Sequence, residues 1–103
     1  MEEIIVEINI QHGENLIVSL NGRLDTVTSN DFLKAMEGET ISEKLVIVDM
    51  KDLEYISSAG LRALLAVKKS LAPQGKELEI HNLSPICQEV FRVTGFKNIL
   101  TVK

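Results

Sequence analysis

Two adjacent hydroxyls, those of Ser57 and Ser58, stand in the stretch Tyr55-Ile56-Ser57-Ser58-Ala59-Gly60-Leu61, where an apolar strand is expected to give way to a helix. A serine at the start of a helix lies among backbone N–H groups that have no intrahelical acceptor, at the positive end of the macrodipole. An anion or an attached phosphate is tolerated there rather than repelled. Ser58 is therefore the candidate switch residue. The same placement also serves a purely structural end, because serine is a favoured N-cap and satisfies a free amide without any regulatory purpose. Spacing does not say which of the two serines is the cap. Leu61, three residues after Ser58, removes the reciprocal capping-box option.

Other chemistries find less support in the residues. A strand–serine–helix turn suggests a hydrolase nucleophile, but of the G-x-S-x-G spacing Ile56-Ser57-Ser58-Ala59-Gly60 keeps only the final glycine. His81 as base and Asp49 as its orienter complete a trio that any polar protein supplies by chance. Neither G-x-x-x-x-G-K-[ST] nor G-x-G-x-x-G is present to cradle a nucleotide. Cys87 falls on an expected helix and reads as a small buried hydrophobe, and a lone cysteine forms no internal disulfide. His12 and His81 are far apart in sequence and no Cys/His/Asp cluster has ligand spacing, so no metal and no cofactor is expected.

The elements that must position the serines follow from periodicity and punctuation. Ile4 to Ile8 and Leu16 to Leu20 read as strands joined by the polar, glycine-containing loop from Gln11 to Asn15. After Gly22-Arg23-Leu24, Asp25 or Thr26 caps a helix with apolar positions Val27, Phe32, Leu33 and Met36, stopped by Gly38. Leu45-Val46-Ile47-Val48, ending at Asp49, is the central strand. A second helix runs from Gly60 to about Leu71, with Leu61, Leu64, Leu65 and Leu71 on one face and Arg62, Lys69 and Ser70 facing water. It ends at Ala72-Pro73-Gln74-Gly75, which breaks helices, and Glu77 to His81 alternates as a half-buried strand. Ser84 as N-cap, Pro85 at the first helical position and Gly95 past the end delimit a third helix, with Ile86, Val90 and Val93 as its expected core stripe. Ile99 to Val102 is a short terminal strand.

This order predicts an α/β fold in one domain over residues 1–103. Its sheet is mixed, with about four to five strands and about three to four helices, because strand–helix–strand units are right-handed parallel crossovers and the opening hairpin is antiparallel. One sheet face and the loop rim are expected to remain open to partners. A chain of 103 residues that is 45% hydrophobic and 25% charged is of ordinary globular composition. A net charge of −4 argues against nucleic acid as the main partner. Arg62, Lys68 and Lys69 are the nearest approach to a basic patch. No run of about eighteen apolar residues and no charged-then-apolar leader is present, so no membrane insertion is expected and cytoplasm is the expected compartment.

Three segments together resemble the STAS domain, in the form found in bacterial anti-sigma factor antagonists. Gly22-Arg23-Leu24-Asp25 resembles the family's G-x-L-D turn after the second strand. Asp52-Leu53-Glu54-Tyr55-Ile56-Ser57-Ser58-Ala59-Gly60-Leu61 resembles its segment around the phosphorylated serine, and Leu83-Ser84-Pro85 through Val90-Phe91 to Gly95-Phe96 resembles its ending. The order is right and nearly the whole chain is covered.

The resemblance implies partner switching. The unphosphorylated antagonist binds an anti-sigma factor serine kinase and frees the sigma factor, phosphorylation breaks that complex, and a PP2C-type phosphatase restores it. The acceptor position falls on Ser58, with Ser57 its rival. Ser57 stands where the family often has aspartate, and Ala59 where a second hydroxyl is common. The contact surface then comprises Ser57, Ser58, Ala59, Leu61 and Arg62, with Arg23, Asp25 and Thr26 if that loop lies at the same sheet edge. For Asp25 a helix cap is the equal alternative. Two other functions stand beside this one: a STAS scaffold module of a stress-sensing or lipid-transport complex, in which Ser58 is only a cap, and a small hydrolase built on Ser58.

Overall fold

The computed structural model describes residues 6–103. The chain runs β1 (Val6–Gln11), β2 (Leu16–Leu24), α1 (Thr28–Glu37), β3 (Leu45–Ile56), α2 (Ser58–Leu71), β4 (Glu77–His81), α3 (Pro85–Thr94) and β5 (Thr101–Val102). The strands form one sheet in the order β1-β2-β3-β4-β5; β1 is antiparallel to β2 and every other neighbour is parallel. The mixed five-stranded α/β architecture is the expected one. Of the first expected strand, Ile4 and Ile5 lie outside the described residues.

All the buried strand side chains share one face. Leu16, Val18, Leu20 and Leu24 of β2 meet Val46, Val48, Met50, Leu53 and Ile56 of β3, with Leu78 and Ile80 of β4 beside them. Each crossover from β2 to β5 moves one strand in the same direction, so right-handed connections place α1, α2 and α3 on that same face. The shortest dimension, 19 Å, is that of one sheet layer and one helix layer.

The central strand is three times longer than the apolar run that signals it, twelve residues against four. Beyond Asp49 the sequence Met50-Lys51-Asp52-Leu53-Glu54-Tyr55 lacks alternation, so the expected strand stops there. Two register shifts against β2, between Ser19 and Asn21 and between Gly22 and Arg23, each give β3 one extra residue. The bulges change the inward spacing from two to three, so Met50, Leu53 and Ile56 all still face the core. Gly22, at φ 111°, supplies the backbone conformation that the second bulge takes from β2.

The helices differ from expectation at particular positions. In α1, Phe32 and Met36 are buried and Leu33 half-buried, but Val27 is 72% exposed because it precedes the first full turn. Gly38 ends α1 in a right-handed conformation. In α2, Leu61, Leu64 and Leu71 face the core as expected, and the helix begins at Ser58 rather than Gly60. In α3, Ser84 Oγ accepts from the Cys87 amide at 3.4 Å, Pro85 opens the helix and Gly95 closes it at φ 79°. The expected core stripe of α3 is wrong, since Ile86 is 59% and Val93 67% exposed and Val90 is half-buried. Cys87 and Phe91 occupy the core instead. Both rows have helical spacing, and the larger aromatic side chain takes the interior. Burial pushes the Cys87 thiol pKa up, which suits a packing role.

Gly60 shows how tightly α2 sits on the sheet. A Cβ there would lie 2.7 Å from Ile56 Cγ1 and 2.7 Å from the Leu24 carbonyl oxygen. We expect Gly60→Ala to destabilise the fold by about 1–3 kcal/mol, read as a lower denaturation midpoint at unchanged m-value.

At the other end of the sheet, His12 ties two loops together. Its Nδ1 lies 3.0 Å from Glu43 Oε2 and its Nε2 2.6 Å from Glu39 Oε1, while the Gly13 amide donates to Glu43 Oε2. Hydrogen bonds to Glu39 and then Glu43 raise the His12 pKa above 6.5, and hydrogen bonds from its own backbone amide first, then from the Gly13 amide and His12, hold Glu43 below 4.5. The tie is complete between pH 4.5 and 6.5. It weakens as pH rises through the raised histidine pKa, and again in acid as Glu43 protonates. The difference in unfolding midpoint between the native chain and His12→Gln should be largest in that window and shrink toward pH 9, roughly two units above the ordinary histidine value.

Candidate functional site

The carboxyl ends of β2 and β3 and the first turns of α1 and α2 meet at one end of the sheet, the end at which open α/β sheets present ligands and partners. Arg23 is the register partner of Tyr55 and Leu24 that of Ile56. The loop after β2 and the serine turn after β3 are therefore neighbours at the same end of the sheet.

The two serines have separate roles. Ser57 is extended, at φ −96° and ψ 175°, and its Oγ accepts from the Gly60 amide at 3.3 Å. Its own amide donates to the Leu24 carbonyl at 2.9 Å and its carbonyl accepts from the Leu61 amide at 3.0 Å. Ser57 is thus the N-cap and is half-buried. Ser58, the first residue of α2, is exposed, and among the described residues its hydroxyl has no hydrogen-bond partner. Its amide and that of Ala59 belong to the first turn, whose N–H groups lack intrahelical acceptors. An oxygen at Ser58 therefore sits next to positive partial charge.

Asp25 caps α1. Its Oδ1 accepts from the amides of Val27 and Thr28 at 3.0 Å each, and its carbonyl accepts from Ser29 at 2.9 Å. Thr28 Oγ1 accepts from the Asp25 amide at 2.9 Å and donates to the Arg23 carbonyl at 2.7 Å. These bonds, that from Thr28 first, hold the Asp25 carboxyl below the usual aspartate range. The structural role expected as one alternative is present. Half-buried Arg23 lays its guanidinium over the Tyr55 ring, 4.6 Å from the centroid, a cation–π contact of about 0.5–2 kcal/mol.

The end of the domain that carries Ser58 also carries Arg23, Asp25, Thr26, Ser57, Ala59 and Arg62, Thr26 and Arg62 being exposed. Leu61 does not share that surface. It is 1% exposed because the third residue after a helix start at Ser58 turns onto the sheet. Two exposed residues at this end were not expected: Tyr55, the last outward side chain of β3, and Val27, assigned by periodicity to the core of α1. Val27 stands five residues before Phe32 and nine before Met36, spacings that place it on the side of the helix away from those two buried residues.

No hydrolytic trio forms here. His81 Nε2 pairs with Glu79 Oε1 at 2.9 Å, and Asp49 Oδ1 accepts from the Lys51 amide and the Asn82 side chain. Among the described residues neither serine is hydrogen-bonded to a histidine, and no group of His, Cys, Asp and Glu has the arrangement to hold a metal ion.

The STAS domain profile matches residues 6–103. Over 88 residues the chain is 35% identical to BtrV of Bordetella bronchiseptica, assigned as an anti-sigma factor antagonist, an alignment that covers 84% of this chain and 76% of BtrV. It is 27% identical over 101 residues to the anti-sigma-B factor antagonist of Listeria monocytogenes, covering 97% and 89%. The fold superposes on an anti-sigma factor antagonist from Mycobacterium paratuberculosis with a TM-score of 0.82 at 20% identity, covering 94% and 84%. It superposes on unphosphorylated SpoIIAA with a TM-score of 0.75 at 17% identity, covering 95% and 87%. A sulfate transporter family protein from Wolinella succinogenes shares the fold equally well, with a TM-score of 0.75 at 18% identity and coverage of 91% and 80%. With its profile match across every described residue, this chain belongs to the STAS domain family.

Proposed function

We propose that this chain is an anti-sigma factor antagonist controlled by phosphorylation of Ser58, a regulatory module and not an enzyme. Unphosphorylated, it binds an anti-sigma factor with serine kinase activity and frees the sigma factor; the kinase adds the phosphate to Ser58 and a PP2C-type phosphatase removes it. The observation that carries this reading is the division between the serines. Ser57 Oγ is engaged as the cap, whereas Ser58 is exposed at the same helix start. Relatives named anti-sigma factor antagonists support the function class. A cytoplasmic site of action goes with it, and no described helix is long and apolar enough to cross a membrane.

The switch follows from electrostatics. A phosphoserine adds roughly 1.5 to 2 negative charges at neutral pH. In the free domain the first turn of α2 offsets this by about 0.3–1 kcal/mol, so the fold survives. Across an interface that desolvates Ser58, the same charge costs about 2–5 kcal/mol, or about thirtyfold to several thousandfold in affinity. The contact surface in this reading is Ser58 with Ala59, Arg62 and the loop from Arg23 to Thr26.

Incubation with the host's anti-sigma kinase and ATP, followed by fragment mass spectrometry, should map one phosphate to Ser58. Ser58→Asp should weaken binding to that kinase by at least about tenfold and Ser58→Ala by less than about threefold, with stability changed by under about 0.5 kcal/mol in both. A phosphate on Ser57 would move the acceptor by one residue. Equal binding by both variants and no modification would instead favour a STAS scaffold of a stress-sensing or lipid-transport assembly. Hydrolysis of an ester that disappears in Ser58→Ala would point to an enzyme.

Asp25 separates scaffold from contact. Asp25→Ala should cost about 0.5–2 kcal/mol of stability through loss of the α1 cap, and Asp25→Asn should recover most of it. If Asp25→Asn keeps stability but loses kinase binding in calorimetry, the carboxylate also meets the partner.

A further inference from the structure

The helices cover one face of the sheet and leave the other bare. At the middle of the bare face Ile17 of β2 and Ile47 of β3 are register partners, with Leu45 next along β3. All three are half-buried and none packs against the core. Among the described residues no helix covers them. Parallel strands normally occur with both sheet faces covered, and their sequences then read as unbroken apolar runs. Leu45-Val46-Ile47-Val48 is such a run: Val46 and Val48 point into the core, and Leu45 and Ile47 point to the uncovered side.

The frame around this apolar centre is acidic. Glu79 is the register partner of Ile47, Glu77 that of Leu45, and Asp49 follows on the same face of β3. Farther along, Asp52 and Glu7 flank Asn21. Compensation is partial: Lys51 stands exposed between Asp49 and Asp52, His81 pairs with Glu79, and Arg23 is turned onto Tyr55, which leaves the carboxylates in excess. A second copy of this chain would set carboxylates against carboxylates. Nucleic acid and an anionic membrane surface are repelled for the same reason.

We propose that this sheet face is a second docking surface, taking a protein segment whose lysine and arginine side chains surround an apolar centre. The contact lies across the sheet, on the side away from the helices, whereas the Ser58 turn lies at the strand ends. Its occupancy does not depend on the state of Ser58, so it stands or falls separately from the partner-switching reading.

The test is a titration of the ¹⁵N-labelled chain at neutral pH with a synthetic peptide alternating lysine and isoleucine, against a control peptide alternating glutamate and isoleucine. The lysine peptide should shift the amides of Ile17, Ile47 and Glu79, and salt should weaken it strongly. Ile47→Lys should reduce its affinity by about tenfold or more. The isosteric pair Glu77→Gln and Glu79→Gln, which leaves the apolar strand intact, should reduce it several-fold and flatten the salt dependence. Ser58→Asp should leave it within about twofold, since that charge lies outside the contact and is screened. Equal binding of the glutamate peptide, or shifts confined to the first turn of α2, would overturn the proposal. So would binding indifferent to Ile47→Lys and to the glutamine pair. A concentration-dependent dimer in sedimentation that Ile47→Lys abolishes would also overturn it, in favour of self-association.

Discussion

The structure depends on the close approach of α2 to the end of β2 through the Leu24 carbonyl. That oxygen accepts the Ser57 amide at 2.9 Å, and it lies 2.7 Å from where a side chain at position 60 would begin. Glycine is what permits the contact. The contact joins the last residue of one strand to the turn that follows its neighbour, so the serine turn is held by the sheet and not by the loop alone. Ser57 then closes the helix start by taking the Gly60 amide. A turn anchored at three backbone points presents the Ser58 hydroxyl in a fixed place, which a partner surface needs if it is to discriminate one added group.

The two bulges in β3 serve the same geometry. Without them, a strand that keeps its inward alternation from Val46 would bring Asp52 and Glu54, not Leu53, to the core face. With them, Leu53 is buried, and Ile56 still reaches the core beneath Gly60 while Tyr55 lies outward under Arg23. The bulges thereby keep the polar residues Lys51, Asp52 and Glu54 exposed in the middle of a strand whose inner face is apolar. The same bulges carry the strand past the end of β4, where Ser84 Oγ donates to the Leu53 carbonyl at 3.0 Å and the Cys87 thiol approaches that oxygen at 3.7 Å. The start of α3 thereby satisfies an edge that β4 is too short to cover.

Legibility in the sequence followed how local each signal was. The punctuation of α3 by Ser84, Pro85 and Gly95 is legible because caps and helix starts are set by neighbouring residues. The order of elements and the mixed sheet followed from the alternation of strand and helix patterns. The second half of β3 was invisible, because a bulge is a relation between two strands and leaves a non-alternating sequence that resembles a loop. The core face of α3 was also misassigned: Ile86, Val90 and Val93 repeat with helical spacing as well as Cys87 and Phe91 do, and only the space beside Leu53 decides between them. At the site, the turn itself was legible, but which serine caps was not. That choice rests on the Leu24 contact, made with a residue more than thirty positions away.

The separation of cap and acceptor has an energetic consequence for the proposed switch. A phosphate on the capping hydroxyl would displace the acceptor that holds the Gly60 amide, and loss of an N-cap alone is worth about 0.5–2 kcal/mol. Modification would then weaken the fold and the interface together. With Ser57 as cap and Ser58 as acceptor, the added charge meets free first-turn amides and leaves the cap intact. Its effect on the free domain is small and of favourable sign, whereas at a desolvated interface it is large and unfavourable. The difference between those two responses is the free energy that the switch delivers, and it requires the two hydroxyls to be neighbours that do not share a task.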